Sequence, residues 1–253
     1  MFEVIGIPAF KDNYIWLIRK GGSVVVVDPG ESRPVLDVLM RGELKLRSIF
    51  VTHHHSDHQG GVTGLVVHCQ PEVYGSGAES ITAMTHPLYG GERIFPGLGD
   101  VEFEVLSVPG HTAGHLAFYA DNCLFCGDTL FGAGCGRIFE GTPNQMYDSL
   151  LKLAALPDDT RIYCAHEYTE ANLRFALAVE PGNLLLRKRA ADVSLARAQS
   201  LPTVPSTLAL EKATNPFLRC AMPEVIASVQ NRIPGASDPR TVFAALREWK
   251  NSF

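Results

Sequence analysis

Thr52-His53-His54-His55-Ser56-Asp57-His58-Gln59-Gly60-Gly61 directly follows the apolar run Ile49-Phe50-Val51, and it packs His53, His54, His55, Asp57 and His58 into one short stretch. A histidine and carboxylate cluster this dense is metal-ligand chemistry. The apolar run reads as the end of a buried strand, and Ser56 with Gln59 three residues later has the form of a capping box opening a helix. The donors therefore fall on a strand-to-helix turn. In extended backbone His53 and His55 project to one side and His54 to the other, whereas Asp57 and His58 come after the bend and face a second point. The stretch holds donors for two neighbouring ions, more than a closed structural zinc site uses. A solvated histidine-rich tract, such as an affinity tag, would sit at a terminus and lack the strand before and the turn after. His54 is read as orienting its neighbours.

The 253 residues suffice for one large domain, or a larger domain with a smaller appendage, and for a sizeable core. A formal charge of -5 argues against a general nucleic-acid binder, which needs clustered Lys and Arg. Small soluble substrates are the expected partners. The start, Met1-Phe2-Glu3-Val4-Ile5-Gly6-Ile7-Pro8, lacks the pattern of a signal peptide, and the apolar runs Val24 to Val27 and Leu65 to Val67 are too short to cross a bilayer. A cytoplasmic protein without membrane or nucleic-acid partners is expected, and a monomer. The six scattered cysteines are expected as free thiols; Cys123-Leu124-Phe125-Cys126 has CxxC spacing but reads as an apolar strand that sends its thiols different ways.

Outward from the cluster, Ile15 to Ile18, Gly21-Gly22 and Val24 to Val27 predict a hairpin whose second strand is buried on both faces and ends at Asp28-Pro29-Gly30. Pro34 to Met40 predicts a helix and Leu46 to Val51 a strand, a β-α-β unit with ligands at its carboxyl end. Glu72 to Tyr74 is a short strand; Gly75 to Gly99 carries no usable motif, and His68 and His86 read as ordinary residues. Strands are predicted over Val101 to Val105, Leu116 to Tyr119, Cys123 to Cys126 and Arg161 to Ala165. Asp28, the cluster, His111, Asp128 and His166 each follow an apolar strand, so all can converge at one sheet edge. After Thr169 strands are expected to disappear. Ala171 to Val179 and Leu184 to Ala198 read as helices, Asn215 to Arg219 as a turn, and Asp238-Pro239 as a cap opening a helix over Thr241 to Lys250. That helix should carry Val242, Leu246 and Trp249 as one apolar stripe, with Arg247 and Lys250 placed to meet one target or to form a solvated charged face.

Grouped by donor type, His53, His55 and His111 form one three-nitrogen set, Asp57, His58 and His166 a second, and Asp128 has two oxygens to share. The expectation is a binuclear centre bridged by Asp128 and by a water or hydroxide, with Asp57 and Asp128 as the catalytic carboxylates. Two divalent ions would lower the pKa of that water from 15.7 to about 7 or below, so hydrolysis needs neither a Ser-His-Asp triad nor a GxSxG elbow, which the chain lacks. Asp28 is either an acceptor for a ligand imidazole N–H or a simple turn aspartate, and His115 is either part of the site or structural.

HxHxDH followed by a strand-end His, Asp and His resembles the metallo-β-lactamase-fold superfamily, which implies an α+β fold, an αββα sandwich over the first two thirds of the chain. Phe10 to Tyr14, Pro109 to His115, Gly127 to Phe131, Gly134 to Arg137, Glu140 to Thr142, His166 to Thr169 and Asn215 to Arg219 resemble one branch of it, glyoxalase II, the hydroxyacylglutathione hydrolases. The resemblance runs the whole length. It implies a catalytic domain over residues 1–168 and a smaller helical, glutathione-binding domain over 169–253. It also implies hydrolysis of S-D-lactoylglutathione to D-lactate and glutathione, the second step of methylglyoxal disposal. Two divalent ions are implied, zinc first, iron or manganese otherwise. Arg137, Tyr168, Arg247 and Lys250 match positions that hold the tripeptide, which moves the last two from charged face to carboxylate ligands. At Phe139 some members have a tyrosine, so one polar contact to glutathione is missing here.

Three other readings compete. A β-lactamase would carry an export signal. A glutathione persulfide dioxygenase would use one iron and is expected to lack the appended helices. A zinc-dependent binding protein would use a closed, thiolate-rich site rather than seven nitrogen and oxygen donors.

Overall fold

The computed structural model describes residues 1–253. The chain packs as two compact units: Met1–Ser107 with Ala113–Gly127, and Val108–Thr112 with Asp128–Phe253.

The first unit opens with β1 (Glu3–Ala9), β2 (Asn13–Lys20) and β3 (Ser23–Val27), followed by α1 (Ser32–Arg41) and β4 (Lys45–Phe50). After the short α2 (Ser56–Gln59) and α3 (Val62–Cys69) come β5 (Glu72–Ser76) and β6 (His86–Leu88). These six strands form one sheet in chain order, antiparallel through β3 and parallel from β3 to β6. The remaining strands, β7 (Arg93–Ile94), β8 (Phe103–Ser107), β9 (Leu116–Ala120) and β10 (Cys123–Gly127), form an antiparallel meander.

Alternation explains how β3 is buried on both faces, as expected: Val24 and Val26 join Val35 and Leu39 of α1 and Leu65 of α3 in one core. A second, aromatic core joins the first sheet to the meander. Phe50 stacks on Phe118 at a centroid distance of 4.3 Å and meets Phe103 edge-on at 5.2 Å. Such pairs add about 0.5–1.5 kcal/mol each beyond their burial.

The second unit contains the hairpin β11 (Leu130–Phe131) and β12 (Gly134–Cys135), then α4 (Pro143–Ala154) and β13 (Arg161–Cys164). Beyond them lie α5 (Thr169–Val179), α6 (Leu184–Ala198), β14 (Ser206–Thr207), α7 (Leu208–Thr214), a 3₁₀ turn at Pro216–Leu218, α8 (Pro223–Gln230) and α9 (Pro239–Asn251). Its core stacks Phe175 on Phe217, with Phe243 against both Phe217 and Tyr147. Asp238 caps α9 as expected, accepting from the backbone N–H groups of Arg240 and Thr241. Val242 and Leu246 are buried on the expected stripe, while Trp249 is only partly covered, its ring under the Arg232 guanidinium at 3.9 Å.

Three local expectations are corrected. Ser56 is not a cap: His55 holds that position without a side-chain bond, and Gln59 turns away to bond the His54 carbonyl and the Thr82 N–H. Strands do not vanish after Thr169, because β14 pairs antiparallel with β13, Ile162 opposite Ser206. The stretch from Gly75 to Gly99 contains β6 and β7, too short to show a period. Packing divides the chain at Gly127/Asp128, whereas the texture changes at Thr169; α9 packs on α4, and α5 on β12, which draws the earlier elements in with the helices.

Candidate metal centre

In the first unit the ligand turn follows β4, and its backbone is locked onto the turn after β3. Asp28 takes a left-handed φ of 51° and donates its N–H to the Phe50 carbonyl at 2.9 Å. Gly30 lies so close that a Cβ there would fall 2.0 Å from the Asp57 carbonyl oxygen, which makes glycine obligatory. His53 and His58 are fully buried, their ring centroids 4.0 Å apart. The period-two expectation holds: His53 Nε2 and His55 Nδ1 face each other at 3.0 Å, while His54 turns to Glu79, its Nδ1 3.1 Å from Oε2.

Asp28 is an orienting acceptor rather than only a turn residue. Its Oδ2 lies 3.0 Å from His58 Nδ1, and its carboxylate also accepts the Thr52 N–H and hydroxyl, each at 2.8 Å. With Nδ1 as donor, His58 presents the Nε2 lone pair, 3.5 Å from Asp57 Oδ2. Asn13 donates its side-chain N–H to that same Asp57 oxygen at 3.0 Å. His115 is fully buried and stacks on His53 at 4.7 Å.

In the second unit Asp128 stands between two imidazoles. Its Oδ2 lies 3.5 Å from His111 Nε2 and its Oδ1 3.4 Å from His166 Nε2. The Arg137 carbonyl, 2.7 Å from His111 Nδ1, can only accept, so Nδ1 carries the proton and Nε2 the lone pair. Tyr168 lies flat on His166, 4.6 Å between centroids and 3° between planes, and Phe139 meets His111 edge-on at 5.2 Å.

These separations fit a divalent ion. Bonds of about 2.0–2.1 Å from a tetrahedral ion put neighbouring ligand atoms roughly 3.3–3.4 Å apart, near the 3.0 Å of His53 and His55. The donors are neutral imidazole nitrogens and carboxylate oxygens, a set suited to zinc, iron or manganese.

Next to Asp128 in the second unit lies a cavity of about 410 Å³, lined by His111, Arg137, Phe139, Tyr168, Arg247 and Lys250 among others. Arg247 is 4% exposed, its guanidinium donating to the Cys135 carbonyl at 3.0 Å and to Asn251 at 3.1 Å. Lys250 lies over the Phe175 ring at 5.2 Å. Burial pushes its ammonium down to about 8, and repulsion from Arg247 is the next cause. Cys135, on the cavity wall, has its thiol pushed up by burial, and all six cysteines are free.

The structure thus brings His53, His55, Asp57 and His58 together in the first unit, and His111, Asp128, His166, Arg137, Tyr168, Arg247 and Lys250 in the second. Asn13 and Thr52 join the site without a sequence signal of their own role. Asn13 bonds Asp57 from 44 residues away, which no spacing reveals; for Thr52 the sequence offers only a hydroxyl beside His53.

Two family models match: the metallo-beta-lactamase superfamily over residues 10–166 and the hydroxyacylglutathione hydrolase C-terminus over residues 167–253. The chain is 53% identical over 254 residues to a hydroxyacylglutathione hydrolase of Methylobacillus flagellatus, and 56% identical over 267 residues to one of Dechloromonas aromatica; each match covers 100% of both chains. Among solved structures, ETHE1 from Myxococcus xanthus matches with a TM-score of 0.67 at 24% identity over 100% of this chain and 99% of that one. TTHA1623, solved in a di-iron-bound form, matches with a TM-score of 0.61 at 26% identity over 85% and 100%. By full-length identity and by fold, the chain belongs to the hydroxyacylglutathione hydrolase family, on a metallo-β-lactamase fold with a helical C-terminal region.

Proposed function

We propose that this chain hydrolyses 2-hydroxyacylglutathione thioesters, S-D-lactoylglutathione first, to the hydroxy acid and glutathione, as a binuclear metallohydrolase. The observation that carries the reading is Asp128, set between His111 and His166 beside a cavity whose walls present Arg137, Arg247 and Lys250. In this reading His53, His55 and His111 would hold one ion and Asp57, His58 and His166 the other, with the Asp128 carboxylate as a further ligand. The di-iron form of TTHA1623 supports two ions, and zinc is the proposed occupant, with iron or manganese the alternatives.

Bound there, the ions would polarise the thioester carbonyl and make water acidic enough to attack near neutral pH. The chain's own part is to hold donors ready. Asp28 and the Arg137 carbonyl keep the Nδ1 protons of His58 and His111, so both Nε2 lone pairs stay available. Asn13 orients Asp57. Glutathione carries two carboxylates, and in this reading Lys250 and Arg137, which line the cavity, would meet them, with Tyr168 adding a hydroxyl. Arg247 acts mainly by fixing the wall through Cys135 and Asn251. The departing thiolate has a pKa near 8.5, so it leaves without a dedicated general acid.

The division of labour at Tyr168/Thr169, catalytic residues 1–168 and glutathione-binding residues 169–253, is part of the proposal. The family models, which meet at residues 166 and 167, support it. A monomer in the cytoplasm, without nucleic-acid or membrane partners, completes the reading; no helix is long and apolar enough to cross a membrane. The test is thiol release from S-D-lactoylglutathione on metal-quantified protein, beside nitrocefin and glutathione persulfide. Preference for either of the last two would displace the proposal.

A further inference from the structure

Thr52 is fully buried in the turn just past β4, and its hydroxyl has two polar neighbours in the first unit: Asp28 Oδ2 at 2.8 Å and His53 Nδ1 at 3.1 Å. A hydroxyl has one proton to give, and the carboxylate beside it is the acceptor. What remains for His53 is an oxygen lone pair. The ring proton of His53 therefore sits on Nδ1, and the lone pair on Nε2, the atom that faces His55 Nδ1 at 3.0 Å. We infer that Thr52 is a positioning residue that sets the tautomer of His53, so that one carboxylate, Asp28, orients His58 directly and His53 through the threonine hydroxyl.

The surroundings are built to keep that hydroxyl in place. Thr52 is tied at both main-chain groups, its N–H to Asp28 Oδ1 at 2.8 Å and its carbonyl to the Leu116 N–H at 2.9 Å. Its β-branch restricts χ1, which limits the directions in which the hydroxyl can point. Gly127 supplies the space: a Cβ there would lie 2.3 Å from the Thr52 oxygen and 2.9 Å from the His115 ring. Stacking on His115, 18° between planes, holds the ring of His53 in its plane. The stack does not choose between the two tautomers of the imidazole, and the Thr52 oxygen makes that choice by accepting from Nδ1.

Thr52→Val keeps the shape but removes both roles. The buried Nδ1–H would lose its acceptor, and the ring gains by moving its proton to Nε2, where it blocks ligation. Thr52→Ser keeps the hydroxyl.

The inference rests on the reading of His53 as a metal ligand, and the experiment separates the two. Zinc transfer from the loaded enzyme to a chromophoric chelator is followed for wild type, Thr52→Val and Thr52→Ser, and the protonated ring nitrogen of His53 is identified by heteronuclear NMR in the wild type. Expected are a loss of affinity of roughly 10–100-fold for one zinc in Thr52→Val, near-complete recovery in Thr52→Ser, and the ring proton on Nδ1. Wild-type affinity in Thr52→Val, a Thr52→Ser variant as weak as Thr52→Val, or a proton on Nε2 overturns the inference. If Thr52→Val does not fold, the serine variant and the proton position still decide. Wild-type protein that takes up no zinc sinks the metal reading instead, and the position of the His53 proton continues to report on Thr52.

Discussion

Asp28 Oδ2 lies 3.0 Å from His58 Nδ1, in a site where the aspartate is 3% exposed and the histidine fully buried. Removing the carboxylate leaves a buried N–H without its acceptor, at a cost of about 1–3 kcal/mol. Asp28→Ala is therefore expected to lower affinity for one metal ion by roughly 10–100-fold. Chelator competition on the loaded protein measures it. Unchanged affinity would show that His58 needs no orienting partner.

Lys250 gives a pH prediction. Its folded pKa, about 8, lies below the usual lysine value because burial penalises the charge. Cationic below that pH and neutral above it, the side chain should keep KM for the glutathione thioester flat below about 8 and let it rise above, with kcat little changed. The stability contribution has the matching sign: between about 8 and the unfolded value the unfolded chain binds more protons, so this group's penalty fades as pH rises through that window. Lys250→Arg, charged throughout, should abolish the inflection in KM. Initial rates across the range, corrected for spontaneous hydrolysis, decide; an inflection that persists in Lys250→Arg belongs to another group.

The two cations of α9 should differ when truncated. Lys250→Ala is expected to raise KM by tenfold or more, the loss of about one charge-assisted contact, without lowering the melting temperature. Arg247→Ala additionally strands the Cys135 carbonyl and should cost about 1–3 kcal/mol of stability. The double variant should raise KM far more than it lowers kcat. Thermal denaturation with steady-state kinetics separates these effects, and an unchanged KM in the double variant would remove both residues from substrate binding.

Much of this was legible because ligand residues stand at the ends of strands whose periods are plain. The alternation that sends His53 and His55 one way and His54 the other is a property of extended backbone, and the structure keeps it. Helix α6 falls at the expected Leu184 and Ala198, with Asn183 capping it. What sequence hides is partnership across distance. Gln59 looked like half of a capping box, yet its amide bonds a carbonyl and an N–H outside its own helix. Strand β1 shows no plain period because Gly6 and Pro8 break its pattern, and an edge strand tolerates both. Arg247 read as a solvated or ligand cation; only packing shows it 4% exposed and tied to the Cys135 backbone.

Phe139 stands on the cavity wall beside Arg137. Its ring is 62% exposed at the rim and touches His111 edge-on. Phe139→Tyr adds a hydroxyl where glutathione is proposed to lie, and one hydrogen bond of about 0.5–1.5 kcal/mol should lower KM roughly two- to tenfold with kcat unchanged. A KM that stays or rises would mean that the ring meets the substrate by its face alone.

The proposed centre is a pair of ions that His53, His55, Asp57, His58, His111, Asp128 and His166 would hold. Thiol release from S-D-lactoylglutathione, measured against metal content as stripped protein is reloaded, tests it most directly. Activity should be absent in the stripped protein and climb until two equivalents are bound per chain. Full activity without metal, or a plateau at one equivalent, would contradict it.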